Sequence, residues 1–200
     1  MNTTALRAQI ADALKQERRN PRARALLQGI SRPAPLSDLD LRRAEAFAEA
    51  YVARVPELVD EALGRAAGTF AEPKLRRMLE VALAYWEEEE DVIPDSLGLL
   101  GVLDDAYATL ALVQALSLRY REETGHALVS EDVGVGNSAA RALLGEELSD
   151  RLDAFVDDAL ADRALQELLA ELVEEPLAPP PPPVWEVDAL AFLLAGSDRG

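Results

Sequence analysis

Four aspartates have the residue type and spacing best suited to chemistry: Asp91, Asp95, Asp104 and Asp105. Carboxylates gathered at one point can ligate a hard divalent cation such as Mg²⁺ or Ca²⁺ with oxygen alone, or act as an acid–base pair. The segment between them holds Pro94, Gly98 and Gly101, which would form a tight elbow and draw the four together. Each aspartate also has a structural use. A carboxylate at a helix start accepts hydrogen bonds from free N–H groups and suits the positive end of the helix dipole. On that account no cofactor is expected, and a bound divalent metal is the alternative. Little other chemistry is on offer. There is no cysteine, so neither a disulfide framework nor a thiolate zinc site can form. His126 is the single histidine and stands beside Gly125 at a predicted helix end, a poor base for a triad. Gly134-Val135-Gly136-Asn137 contains Gly-x-Gly, lacks the rest of a phosphate fingerprint and a preceding strand, and reads as a loop. No catalytic set emerges, and the chain reads as a non-enzyme.

The elements that must position these aspartates occupy Glu90 to Leu118. Pro94 has no N–H to offer a preceding helix and disfavours helical angles at Ile93. The helix carrying Tyr85 and Trp86 is therefore predicted to stop near Glu90 or Asp91. Asp95 and Ser96 start a new turn. Asp104-Asp105 then opens a second helix. From Ala106 to Leu118 there is no charged residue, a run too short to span a bilayer and suited to a buried core helix. The product is a helix, an apolar elbow and a central helix.

Asp91-x-Ile93-Pro94-Asp95, Gly101 and Asp104-Asp105 together resemble the YkvA-like family of small bacterial and archaeal domains. That family reads Asp-x-Ile-Pro-Asp-x-x-Pro-x-x-Gly-x-x-Asp-Asp after a helix ending in an apolar-Tyr pair. Here Ala84-Tyr85 takes the place of that pair, and Glu72-Pro73-Lys74 looks like the lead-in. The second proline is replaced by Gly98, and glutamates precede the first Asp. The likeness covers about residues 70 to 120. It implies a helical hairpin, membrane-associated in some relatives, with no established activity.

Helical spacing runs through the rest. Thr3 or Thr4 caps a first helix to about Arg18, and Pro21 opens a short second one to about Gly29. Ser37-Asp38, with Asp40 placed for a partial capping box, begins an apolar stripe that keeps phase across Pro56 up to Gly68, as one kinked helix or two nearly collinear ones. Thr69 and Glu72 fit a capping box for the next helix, which runs into Glu87 to Glu90. Asn137 or Ser138 caps a helix to Leu144, and leucines continue a stripe to Val173. The predicted fold is all-α, a multi-helix bundle around a central helical hairpin. Its parts are a basic N-terminal helical arm (1–35), a helical body (36–175) with the hairpin at 70–124, a polyproline linker (176–183) and a C-terminal docking peptide (184–200).

The net charge of −17 sets the field. It opposes nucleic acid and anionic membranes as partners. Residues 1 to 32 carry seven Arg/Lys against two acids, so this basic arm is expected to lie on an acidic remainder. No signal peptide and no segment long enough to span a membrane is seen, and with no cysteine a cytoplasmic location is expected. Five consecutive prolines end at Pro183. They form a polyproline II spacer, which cannot join a helix or sheet interior. Beyond lie Trp185, Val187, Leu190, Phe192, Leu193 and Leu194. Leaving these in water costs solubility, so the peptide is expected to dock, on its own helices or on a partner. The functional expectation is a cytosolic interaction module: an adaptor, cargo or regulatory subunit with a protein partner or a second copy of itself. The alternatives are a divalent-metal enzyme or sensor at the aspartate elbow, and peripheral membrane association through that elbow.

Overall fold

The computed structural model describes residues 3–21, 23–29, 37–87, 95–130 and 133–181, with the side chains at 24, 26, 29, 87 and 95–97 excepted. Among these residues there are eight α-helices, two 3-10 segments and no strand. The all-α expectation holds.

The helices are α1 (Thr3–Arg19), α2 (Ala23–Gly29), α3 (Asp38–Ala66), α4 (Glu72–Ala82), α5 (Leu103–Thr124), α6 (Gly134–Leu144), α7 (Glu146–Ala161) and α8 (Arg163–Glu174). The 3-10 segments are Ala84–Glu87 and the elbow turn Asp95–Leu100. Helix α5 is the hub and packs on α3, α4, α6, α7 and α8. Its uncharged run is buried on nearly every side, from Leu103 through Leu110 and on to Leu112, Val113, Leu116 and Tyr120. Together with the elbow turn it reaches the length and composition of a membrane span. This corrects the expectation that no segment is long enough, because the elbow residues from Gly98 add apolar length before the helix. Of that span's apolar window, 83% is buried against other helices, which accounts for its composition.

Helix α3 begins with a full capping box. Ser37 Oγ accepts from the Asp40 N–H at 3.2 Å, and Asp40 Oδ2 accepts from the Ser37 N–H at 3.2 Å. The helix runs unbroken through buried Pro56. Proline removes one backbone bond there, but Tyr51, Val52, Val55, Leu58, Val59 and Ala62 keep one buried face on either side. Helix α1 lies against the body. Leu6, Ile10 and Ala13 are buried, the helix packs on the elbow turn and α3, and Arg7 pairs with Asp60 at 2.7 Å.

Three local expectations are corrected. Helix α4 ends at Ala82, not near Glu90, and Leu83 donates back to the Leu79 and Val81 carbonyls. The chain then tightens into 3-10 geometry, where Trp86 Nε1 donates to Thr109 Oγ1 at 2.8 Å and Thr109 donates to the Ala82 carbonyl at 2.9 Å. A tertiary bond to α5 thus takes over where the α-helix stops. Thr69 and Glu72 form no capping box, because Ala71 holds the cap position without a side-chain bond. Glu72 instead reaches back to accept from the Gly68 N–H at 2.9 Å. Finally, Gly134 to Asn137 is the first turn of α6 and not a loop. Buried Asn137 accepts from the Tyr51 hydroxyl at 2.6 Å and donates to Gln114 Oε1 at 2.6 Å, joining α3, α5 and α6. Those partners lie 86 and 23 residues away, beyond any local pattern.

Candidate functional site

Asp104 and Asp105 lie in the first turn of α5, at 0% and 1% exposure. Helix α5 starts at Leu103 after Val102, with no side-chain cap bond at that position, and both acids lie at the positive end of its dipole. Asp91 and Pro94 lie outside the described residues. Asp95 opens the elbow turn, with its side chain also outside the description. Among the described residues no group of three or more acidic or histidine side chains is arranged to hold a metal ion.

The elbow turns at Gly98, where φ is 70° and ψ −127°. No proline can adopt that φ, so a proline there would require a different elbow. Gly98 also lies against α1. A Cβ built on it would stand 2.9 Å from Glu17 Oε2 and 3.5 Å from the Glu17 backbone nitrogen. Glu17 is itself buried, and its Oε1 accepts from the Ala23 N–H at 2.9 Å, joining α1 to the start of α2. Gly101 closes the turn by donating to the Gly98 carbonyl at 3.1 Å. The elbow is therefore packed beneath the N-terminal helix.

A second constellation lies where the proline-rich segment leaves the body. The body does not end at Pro176: Leu177 is buried at 5% exposure, and its N–H donates to the Tyr120 hydroxyl at 2.6 Å. The Arg65 Nε donates to the Ala178 carbonyl at 3.0 Å. The same guanidinium donates to the carbonyls of Leu128 and Ala127, so it bridges α3, the loop after α5 and the linker. Burial pulls the Arg65 pKa below its ordinary value, against the opposing charge of Glu61. An arginine remains charged through such a shift. Lys74 adds long contacts to Glu171 and Glu175 at 3.8 and 3.9 Å. Beside this root is a shallow pocket of about 280 Å³ lined by Thr69, Phe70, Ala71, Glu175, Pro176 and Leu177. The C-terminal residues Trp185, Val187, Leu190, Phe192, Leu193 and Leu194 lie outside the described residues.

No protein family, curated protein or solved structure was found that matches this chain.

Sequence reasoning missed the linker root. Nothing in local spacing joins Arg65 to Ala178, 113 positions on, or Tyr120 to Leu177, 57 on. The one available signal was Leu177 itself, a lone large apolar residue between Pro176 and Ala178.

Proposed function

We propose that this chain is a non-catalytic helical interaction module of the cytosol, an adaptor, cargo or regulatory subunit. It captures a protein partner with its C-terminal peptide, through Trp185, Val187, Leu190, Phe192, Leu193 and Leu194. The observation that carries this reading is the fixed root of the linker. Tyr120 and Arg65 hold Leu177 and Ala178 on the body, so the five prolines set out from a defined point. In polyproline II geometry they project about 15 Å, at about 3.1 Å per residue. An anchored, stiff spacer presents a peptide at a set distance, with less ordering entropy lost on binding than a flexible tail. The acidic body supports a protein partner over nucleic acid.

The test is affinity capture from native extract with the full chain and with a chain ending at Ala178. That end point matters, because a cut at Glu175 would also remove a buried core residue. A partner held by the full chain and lost by the shortened one is the expected result. Equal capture by both would refute the peptide's role.

A further inference from the structure

Phe70 is 82% exposed, the most of any large apolar side chain among the described residues. It stands at the tip of the α3–α4 turn, and that turn is well tied. Thr69 Oγ1 donates to the Ala66 carbonyl at 2.7 Å and accepts from the Ala71 N–H at 3.2 Å. The ring is thus presented by a fixed turn, beside a pocket whose other wall is Pro176 and Leu177. A lone exposed ring is ordinary on a protein surface, but this one adjoins the pocket wall of Ala71, Pro176 and Leu177, and together they form an apolar patch.

We infer that in the free protein this patch is covered by the chain's own C-terminal peptide, residues 184–196, which a partner must displace. The inference rests on the reading of that peptide as a docking element. Two considerations choose this occupant. The first is reach. Ala178 is pinned near the pocket. In polyproline II geometry five prolines would span about 15 Å, and thirteen residues from Val184 to Gly196 could extend about 40 Å. That is ample for Phe192, Leu193 and Leu194 to return to Phe70. The second is concentration. A peptide tethered to its own body meets it as an intramolecular partner, ahead of a peptide from another copy in dilute solution. The match is also chemical: aromatic and leucine side chains against a phenylalanine and a proline–leucine wall.

Tryptophan fluorescence tests this directly. The chain has two tryptophans, and Trp86 is buried. Phe192→Trp in a Trp185→Phe chain puts an indole on a residue assigned to the patch, and subtracting the signal of the Trp185→Phe chain isolates it. The same pair is then measured in a Phe70→Ala background, a change at an exposed side chain that leaves the fold intact. The expected result is a blue-shifted indole at position 192, shielded from acrylamide at every protein concentration. Both shift and shielding are lost with Phe70→Ala, while partner capture grows stronger. An indole at position 192 that quenches like a free one overturns the inference, and so does shielding indifferent to Phe70→Ala. Shielding that rises with concentration alongside a dimer in sedimentation also overturns it, in favour of a second copy's peptide. Failure here leaves the tail-dependent capture of a partner untouched. Failure of that capture leaves the fluorescence result standing.

Discussion

Gly98 carries the tightest constraint at the residue scale. Its positive φ disfavours any side chain, and an added Cβ would also push on the Glu17 carboxylate. Gly98→Ala should destabilise the fold by about 1–3 kcal/mol. Gly64 lies inside α3, where an added Cβ would meet no atom within 4 Å, and should respond oppositely. Gly64→Ala should gain about 0.5–1 kcal/mol. Urea denaturation of the two variants checks the pair, and a harmless Gly98→Ala would mean the elbow is loose. Glu72 gives a pH-dependent test. Its hydrogen bond from the Gly68 N–H, aided by Arg76, holds its pKa below the ordinary 4.5. A carboxylate with a depressed pKa stabilises the fold above its unfolded-state pKa, and that contribution is lost as pH falls through the folded value. Glu72→Gln should therefore be the less stable chain at neutral pH, with the gap closing below about pH 4.5. A gap constant down to about pH 3 would sink this account.

At the scale of elements, helix ends are legible where chemistry is local and obscure where a distant contact decides. The Ser37 capping box and the Gly125 stop of α5, with φ 78°, follow from side chains and backbone freedom within a turn. The end of α4 and the start of α6 do not, because Thr109 and Tyr51 approach them from other helices. Tyr51→Phe tests that coupling. Burial raises the Tyr51 pKa well above its ordinary value, so the phenol stays a donor at neutral pH. Removing it leaves the Asn137 carbonyl oxygen without that bond and should cost about 1–3 kcal/mol. A thermal melt unchanged from the parent would contradict it. Tyr120→Phe removes the acceptor of the Leu177 N–H. Hydrogen exchange at that amide should accelerate well beyond the change in global stability, and equal protection would place the linker root elsewhere.

At the scale of the whole molecule, the described body extends through Leu177 to Ala178 rather than stopping before Pro176. A chain ending at Ala178 should unfold within about 1 kcal/mol of full length, since the described residues it loses lie outside the buried core. One ending at Glu175 also loses buried Leu177 and its hydrogen bond, and should fall short by about 2–4 kcal/mol. Identical melts for the two shortened chains would show that Leu177 contributes nothing to the core.

The sequence by itself determined the helical class, the buried central helix, the single apolar phase across Pro56 and the acidic field. All of these follow from periodicity, charge and turn chemistry within a few residues. Only the tertiary structure decided that the N-terminal helix covers the elbow, that Asn137 is buried and that the linker is rooted by Tyr120 and Arg65. Those facts depend on which side chains meet across tens of positions. Packing fixes such meetings, and local pattern does not encode them. The aspartates show both sides of this divide: their place at the head of α5 was legible, while the depth of Asp104 and Asp105 came from the helices packed around them.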